Sequence, residues 1–515
     1  MQMKHDDRLQ DLKQVLEKAR VECGVPGVSV AVQHKGQLIF AEGLGIRNES
    51  KEPFLPETLM PIASITKAFT AAAIGELVAE GKMDWEKTPV SAYLPEFQLQ
   101  DPVLTSELTM TDLLSHRTRI PNLDIAWYRT KTPRRELIKR LRHIKMSPKL
   151  NTKMNYSNIM YAVAGEAAAN VSGMTLEQLV ETKVLQPLGL TNTGFGQLEM
   201  KAKSDNYAMP FMAESFEDAQ KGNFKMGYLD PIYMADAPAG DMYSNVLDLL
   251  QWGRTILDQG ELKGKQVLHK ENVNELLTAK TLADTTRRYP EFSPVSAYGM
   301  GWFIDSYKGH IVYRHTGSAL GYVSNLVLFP DDELVIAIFA NVNTTMFQSI
   351  APYYIADKLL DLPETKAWLT DVAVEQTKKR YEWLAEDVRG KIPERLKNRP
   401  GSHRLEDCIG KYTHPVYGEV FIELESGDHV VSNVQIEGEG TKVGTAKSLV
   451  FKMNEFNDKL EHYHYDSFRV QLQGFALSLG FLVTFSTGAD GKVDGFDIVL
   501  AKEKQHFLKA DEKAA

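Results

Sequence analysis

Two matched pairs of apolar runs, near residues 30 and 330, constrain the fold of this chain most strongly. Residues 28–32 and 38–41 flank a Lys35-Gly36 turn signal, and residues 322–329 and 333–340 flank Pro330-Asp331-Asp332. Such runs around turn residues predict two β-hairpins. The intervening sequence has helical periodicity at 64–80, 109–115, 133–142, 157–171 and 175–185. We therefore predict an α/β domain in which one antiparallel sheet collects strands from both ends, closed by a helix at 350–361.

The sequence changes character after this closing helix. Residues 364–400 are charge-rich and mainly helical in pattern, whereas apolar runs typical of strands recur from residue 404 onward, at 420–424, 448–451, 469–472, 482–486 and 495–499. Short strands with regular turn signals predict a small all-β barrel or sandwich. The predicted organisation is an α/β domain over 1–362, a helical linker over 363–403 and a β-barrel domain over 404–515.

Composition limits the partners of the chain. Its net charge is −9 over 515 residues, so on average it repels a phosphate backbone, and we expect no nucleic-acid partner. No stretch approaches the apolar length of a membrane helix, and the polar N-terminus has no apolar core of a secretory signal. Cys23 and Cys408 form neither a disulfide framework nor a zinc site. We expect a cytoplasmic protein without a membrane partner.

Ser64-Ile65-Thr66-Lys67 is the first candidate for chemistry. Three residues are nearly one helical turn, so Ser64 and Lys67 project from the same face. A buried, neutral amine beside a hydroxyl can take its proton, and a helix N-terminus offers backbone N–H groups to an oxyanion. Taken alone, the motif also fits a helix-capping serine followed by a solvated lysine.

Tyr156-Ser157-Asn158 is the second candidate. A tyrosine hydroxyl near a cationic lysine can have a lowered pKa and can carry a proton between nucleophile and leaving group. The Asn158 amide can donate to a substrate carbonyl and accept from a lysine. The same tripeptide recurs at residues 243–245, so the letters alone also fit a capped turn before a helix.

His315-Thr316-Gly317-Ser318 is the third candidate, directly before the second hairpin. A glycine there lets a substrate approach the backbone closely, and the N–H of Ser318 can serve as a second oxyanion donor. The alternative is a polar end of an edge strand.

The order and spacing of these three motifs resemble the class C β-lactamases and penicillin-binding-protein-like serine hydrolases, a family with esterase, D-aminopeptidase and acyltransferase members. Further segments carry the resemblance across residues 8–360, namely 27–32, Leu113-Leu114-Ser115-His116, Pro187-Leu188-Gly189-Leu190, Pro238-Ala239-Gly240 and Tyr298-Gly299-Met300-Gly301-Trp302. The resemblance implies a β-lactamase-like antiparallel sheet flanked by helices, with an all-helical region. It also assigns residues 243–245 to a non-catalytic position.

Carried over by motif, the resemblance implies that Ser64 is the acylated nucleophile. Lys67 and Tyr156 would share the general base role, and Tyr156 would protonate the leaving group. Asn158 would bind substrate and Lys67. Which of Lys67 and Tyr156 takes the first proton stays open.

The third motif would provide the remaining substrate-binding residues. Its residues His315, Thr316, Gly317 and Ser318 would line the substrate-binding cleft. The backbone N–H groups of Ser64 and Ser318 would form the oxyanion hole.

Two positions depart from the family pattern. β-Lactamases and penicillin-binding proteins of this fold usually have lysine where this chain has His315, and neutral histidine holds a carboxylate more weakly. The Thr-Ser-Gly that usually follows Leu-Leu-x-His is replaced by Arg117-Thr118-Arg119, so we expect a glycine turn to be lost there. The C-terminal region resembles the lipocalin-like domain that some members carry, which can shape the cleft or mediate contacts between copies in a homo-oligomer.

The sequence therefore predicts a metal-independent serine hydrolase, without a cofactor, that cleaves an ester or amide bond in a small molecule or short peptide. An acyltransferase with the same acyl-enzyme and a non-catalytic binding scaffold are the alternatives.

Overall fold

The computed structural model describes residues 3–145, 154–227, 229, 235, 237–284, 289–390, 392–427, 446–472, 479–500 and 503–510. The chain divides into two compact units. One contains Met1–Asp124 and Thr132–Glu382, and the other contains Ile125–Lys131 and Trp383–Ala515. Within the described residues, no helix combines the length and the apolar character needed to cross a bilayer.

The first unit is built on an eight-stranded antiparallel sheet. Its strands in chain order are β1 (Gly27–His34), β2 (Gln37–Gly45), β3 (Thr281–Asp284), β4 (Ser296–Tyr298), β5 (Phe303–Tyr307), β6 (His310–Ala319), β7 (Tyr322–Phe329) and β8 (Leu334–Ala340). Their spatial order is β3-β4-β5-β6-β7-β8-β1-β2. The two predicted hairpins are therefore joined edge to edge through β1 and β8, with Val30 opposite Ile338.

The N-terminal hairpin turns where the sequence predicts. Lys35 and Gly36 both have positive φ, at 48° and 74°, as the tight turns that match strand twist require. All residues of β1, β7 and β8 are buried, because helices cover both faces of the central sheet. This double coverage explains why these strands appear as continuous apolar runs rather than alternating ones.

Six longer helices accompany the sheet: α1 (Leu12–Glu22), α2 (Thr66–Ala79), α3 (Asn158–Ser172), α4 (Val246–Leu257), α5 (Phe347–Leu359) and α6 (Ala373–Gly390). On one face, α4 approaches so closely that a Cβ on its Gly253 would lie 2.6 Å from Val335. On the other, α1 and α5 share a hydrophobic core with β1, β7 and β8.

Short helices fill the remainder of the first unit and its boundary. They are Val90–Tyr93, Pro102–Glu107, Met110–Leu114, Asp124–Trp127, Arg134–Arg140, Leu176–Val180, Gln186–Leu188, Gln197–Lys203, Phe216–Gln220, Ala237–Gly240 and Lys270–Leu276. Single 3₁₀ turns occur at Asp7–Leu9, Ala63–Ile65, Leu141–His143, Pro330–Asp332 and Leu405–Cys408, and π-helical turns at Glu181–Leu185 and Trp368–Val372. A three-stranded sheet joins Met60–Pro61, Met242–Ser244 and Gly194–Phe195, and two-stranded sheets pair Phe211–Met212 with Lys225–Met226 and Glu261–Leu262 with Lys265–Gln266.

The segment that we expected to be a linker, 363–403, is divided by the structure. Trp368 is fully buried in the core of the first unit, and its indole N–H donates to Asp357 Oδ2 at 3.0 Å. The same carboxylate accepts from Lys308 Nζ at 2.8 Å and from the Tyr307 hydroxyl at 2.8 Å. The boundary between units therefore falls after Glu382, because a buried, hydrogen-bonded tryptophan fixes the first part of the segment to the domain.

The second unit contains a closed eight-stranded barrel, which confirms the predicted C-terminal β-barrel. Its strands are β9 (Gly410–His414), β10 (Gly418–Gly427), β11 (Ala446–Met453), β12 (Phe456–His464), β13 (Ser467–Leu472), β14 (Leu479–Thr487), β15 (Val493–Leu500) and β16 (Glu503–Lys509). The sequence pattern identified five of the eight and missed β9, β12 and β16, whose many polar residues weaken the apolar signal.

One piece of the second unit comes from far upstream in the sequence. In Ile125–Lys131, the carbonyls of Ile125 and Tyr128 accept hydrogen bonds from Asn454 Nδ2, at 3.1 and 3.0 Å. The ring of Tyr128 stacks on that of Phe456 at 6.2 Å. These contacts hold the tip of the β11–β12 hairpin to this short segment. No local sequence pattern predicts this association.

Candidate active site

Ser64 lies on a tightly held turn that leads into α2. Ala63, directly before it, has a φ of +47°, a left-handed conformation that is uncommon outside glycine and often marks functional turns. Two hydrogen bonds fix the preceding Ile62. Its N–H donates to the Met242 carbonyl at 2.8 Å, and its carbonyl accepts from Ser324 Oγ at 2.8 Å. The Ser64 hydroxyl is consequently presented half-buried at the N-terminal end of the helix.

Lys67 follows one turn later and is fully buried. Its Nζ donates to Ser64 Oγ at 3.0 Å, to Asn158 Oδ1 at 2.7 Å and to the Ala239 carbonyl at 2.8 Å. An ammonium group has three N–H donors, and this arrangement offers an acceptor to each. The site therefore suits a lysine that carries its charge while touching the serine.

Tyr156 also contacts Ser64. Its hydroxyl lies 2.9 Å from Ser64 Oγ, and its ring centroid is 4.8 Å from Lys67 Nζ. It stands two residues before Asn158, the first residue of α3. The structure thus brings one hydroxyl, one amine and one phenol from two distant stretches of the chain to a single oxygen atom.

Asp124 belongs to this site although the sequence analysis missed it. Its Oδ1 accepts from Asn158 Nδ2 at 3.1 Å, and its Oδ2 accepts from Asn122 Nδ2 at 2.7 Å. Burial raises the pKa of Asp124, while these hydrogen bonds and the charge of Lys67 oppose the rise. By holding the amide nitrogen of Asn158, the carboxyl group leaves the amide oxygen facing Lys67. No spacing rule identifies such a partner, since Asp124 lies 34 residues from Asn158.

The second Tyr-Ser-Asn tripeptide is structural. The Tyr243 hydroxyl donates to Glu199 Oε1 at 2.8 Å, and burial is the main cause that raises the pKa of Tyr243. Asn245 caps α4, where its Oδ1 accepts from the N–H groups of Leu247 and Asp248. These contacts agree with the non-catalytic position implied by the resemblance.

Gly317 brings β6 against the serine turn. A Cβ there would lie 2.0 Å from the Ile62 carbonyl oxygen and 2.3 Å from Ser324 Oγ, so only glycine fits this approach. Ser318, the next residue, is exposed. Side chains alternate along a strand, and Thr316 pairs with Asn325 on the face of β6 opposite Gly317. The structure therefore divides the third motif between the two faces of the strand.

His315 is a buried, neutral ring. Its Nδ1 lies 2.8 Å from the Thr316 carbonyl and so carries the proton, which leaves Nε2 to accept from the Tyr298 hydroxyl at 3.0 Å. Burial, followed by the charge of Lys67, lowers the pKa of His315 to about 3. At neutral pH the residue provides no positive charge for a substrate carboxylate.

His116 supports Tyr156 from behind. Its Nδ1 accepts the backbone N–H of Ser157 at 3.2 Å, and its ring lies 4.3 Å from that of Tyr156. Burial, with the charges of Lys67 and His315, lowers the pKa of His116 well below its usual value. The histidine of the Leu-Leu-x-His segment thus provides a neutral ring that packs on the phenol of Tyr156.

The segment after His116 has no glycine, yet one of its residues takes a left-handed conformation. Arg119 adopts a φ of +63°, so an arginine occupies the left-handed conformation. Arg117 instead pairs with Asp112 at 2.5 Å. A left-handed conformation at a residue other than glycine carries local strain.

Two family models and several known proteins match this chain. The β-lactamase family model matches residues 12–360, and the model of a domain of unknown function (DUF3471) matches residues 394–510. The unguisins hydrolase ungD' of Aspergillus campestris is 26% identical over 445 residues, covering 80% of this chain and 77% of that protein.

Two solved structures have similar folds. The octameric penicillin-binding protein homologue from Pyrococcus abyssi superposes with a TM-score of 0.59 and 21% identity, covering 97% of this chain and 100% of that one. A D-stereospecific amidohydrolase from Streptomyces sp. superposes with a TM-score of 0.53 and 22% identity, covering 68% of this chain and 98% of that one. With a serine, a lysine and a tyrosine meeting at the end of α2, and a family match over most of its length, the chain belongs to the β-lactamase family.

Proposed function

We propose that this protein is a serine hydrolase that cleaves an ester or amide bond, peptides included, through an acyl-serine intermediate on Ser64. The observation that carries the proposal is the convergence on Ser64 Oγ, which lies 3.0 Å from Lys67 Nζ and 2.9 Å from the Tyr156 hydroxyl. A relative of similar length is named as a hydrolase, which supports the same class of reaction.

In the proposed acylation step, Tyr156 acts as the base. Lys67 is surrounded by three acceptors, so it stays an ammonium group, and its positive charge favours the phenolate form of the neighbouring Tyr156. The phenolate takes the proton of Ser64 as Oγ attacks the carbonyl carbon. Tyr156 then passes that proton to the departing oxygen or nitrogen, and the carbonyl re-forms as an ester of Ser64.

Water completes the cycle by the same route. Tyr156 takes a proton from the attacking water, and the Ser64 oxygen recovers a proton as the acyl group leaves as a free acid. The backbone N–H groups of Ser64 and Ser318 stabilise the oxyanion in both steps. The tight contact of Gly317 with Ile62 supports this role, because it brings residue 318 next to the serine turn.

The neutral state of His315 bears on substrate choice. A carboxylate placed beside that ring meets no cation there, so we expect simple nitrophenyl esters to be turned over faster than a chromogenic cephalosporin. D- and L-aminoacyl anilides, assayed in the same panel, test whether amides of either configuration are substrates.

Labelling with a fluorophosphonate, read by intact mass, tests the proposal. We expect one adduct on the wild-type protein, none on Ser64→Ala, and an unchanged adduct on Ser244→Ala, the serine of the structural tripeptide. Absence of any adduct, together with no turnover of the ester panel, would favour a non-catalytic scaffold. Product analysis with a competing amine or alcohol separates hydrolysis from acyl transfer, since both share the acyl-enzyme.

A further inference from the structure

A cavity lies on the face of β6 that bears Arg314 and Thr316. It has a volume of about 480 Å³ and is walled by apolar side chains that include Phe292, Ile350 and Tyr353. This volume falls in the range of small-molecule sites. Gly317, on the other face of the strand, packs against the serine turn, so the cavity lies behind the strand that borders Ser64.

Arg314 lines this cavity, and only one of its three guanidinium nitrogen atoms is hydrogen-bonded to a described residue. Its Nε donates to Asp305 Oδ2, and its guanidinium carbon lies 4.9 Å from the centre of the Phe303 ring. Among the described residues, Nη1 and Nη2 have no hydrogen-bond partner. The side chain keeps 26% of its exposure while lining the cavity. This partly exposed terminus can therefore donate to a ligand in the cavity.

Several polar groups near Arg314 also lack a hydrogen bond to any described residue. The Thr316 and Tyr353 hydroxyls line the cavity without a hydrogen bond to any described residue. Asn325 Oδ1 and Ser296 Oγ are buried and have no partner within the described part of the chain. Burial raises the pKa of Tyr353 to about 12, so its hydroxyl remains a donor. The hydroxyls of Thr316, Tyr353 and Ser296 can therefore donate beside Arg314, whereas Asn325 Oδ1 can only accept, and aromatic and aliphatic side chains form part of the remaining wall.

The charges of Arg314 and Asp305 together favour one class of ligand. Asp305 already offsets one charge and occupies only the Nε side of Arg314. That carboxylate repels a doubly charged phosphate more strongly than a monoanion, and a carboxylate that accepts from Nη1 and Nη2 together matches the geometry of the guanidinium fork. We propose that this cavity binds the carboxylate of a small molecule with an apolar, ring-sized body, and that Arg314 anchors it.

Calorimetric titration of the full chain with 3-phenylpropionate tests the proposal, with 3-phenylpropanol as the uncharged analogue. We expect the carboxylate to bind at least about tenfold more tightly than the alcohol, because it gains charge-assisted hydrogen bonds. Arg314→Lys retains the positive charge opposite Asp305 but removes the paired N–H donors of the guanidinium group. It should weaken binding of 3-phenylpropionate about tenfold. Arg254→Lys, at an arginine that also pairs with carboxylates, is the matched control and should bind normally.

Filling the cavity provides a second, independent variant. Ile350→Trp should abolish binding, with circular dichroism and thermal unfolding reporting whether the protein stays folded. Equal binding of carboxylate and alcohol, unchanged binding by Arg314→Lys, or no binding to the wild-type protein at millimolar ligand would each overturn the proposal.

The carboxylate could belong to the substrate or to a separate effector, and one further titration separates these sources. If phosphonylation of Ser64 abolishes 3-phenylpropionate binding that Arg314→Lys also weakens, the cavity holds part of the substrate. If binding is unchanged, the cavity holds an effector. Either result supports an anion site at Arg314, and the variants above assess that site even if Ser64 proves inert.

Discussion

Replacing Tyr156 with phenylalanine removes one hydroxyl, whose oxygen lies 2.9 Å from Ser64 Oγ. The ring contacts with His116 at 4.3 Å and with the Lys67 ammonium at 4.8 Å remain. We therefore expect a folded protein whose free energy of unfolding changes by no more than about 1 kcal/mol. Loss of a general base lowers kcat/KM by about 10²–10⁴-fold, or about 2.7–5.4 kcal/mol of activation free energy.

The choice of leaving group makes this variant decisive. Nitrophenolate departs without protonation, whereas an anilide nitrogen needs a proton. If Tyr156 is the base, Tyr156→Phe loses activity on both substrates. If Lys67 is the base and Tyr156 only the acid, nitrophenyl ester turnover stays near the wild-type value while anilide turnover falls.

The matched control is Tyr243→Phe, which removes the same hydroxyl from the second Tyr-Ser-Asn tripeptide. It breaks a hydrogen bond to Glu199 and should leave both rates within about twofold of wild type. Stopped-flow kinetics on the two substrates are the measurement. Nitrophenyl ester hydrolysis by Tyr156→Phe within about threefold of wild type would refute the assignment of Tyr156 as base.

Three other substitutions test separate parts of the account. Arg119→Gly relieves a left-handed φ and should raise the free energy of unfolding in urea by about 0.5–1 kcal/mol. Asp124→Ala frees the Asn158 amide and should lower kcat/KM about 10–100-fold with little change in KM, whereas Asp218→Ala, at a surface carboxylate, should change neither. Because the pKa of His315 is about 3 when folded and about 6.5 when unfolded, only the unfolded chain binds this proton between those values. Stability therefore falls as pH drops through that window, and in urea titrations from pH 7 to 5 His315→Gln should reduce the slope by up to about 1.4 kcal/mol per pH unit.

Local signals predicted the four strands of the two hairpins, β1, β2, β7 and β8, but not β3, β4 or β5. The turn at Lys35-Gly36 and the apolar runs of both hairpins are properties of a few adjacent residues, and the structure reproduces them. The pairing of β1 with β8 followed from the need of each hairpin to bury its apolar residues. The barrel was predicted for the same reason, although its more polar strands were not.

Features that depend on long-range contact could not be predicted in this way. Trp368 stands in a charge-rich segment that resembles a linker, and only its burial against Asp357 assigns it to the first unit. Asp124 and the Ala239 carbonyl meet the site through tertiary folding alone. For Arg119, the missing glycine suggested a lost turn, yet the surrounding structure imposes the left-handed backbone.

Trapping the substrate's acyl group on the protein tests directly whether Ser64 is the nucleophile. The protein is mixed with an ester that it turns over slowly, and the reaction is quenched in acid during the steady state. The protein is then digested, and the masses of its peptides are measured by mass spectrometry. We expect the acyl mass on the peptide that contains Ser64, its accumulation as fast as the first turnover, and its absence from Ser64→Ala. Steady turnover with no acyl group on that peptide, or full activity in Ser64→Ala, would contradict the assignment of Ser64 as nucleophile.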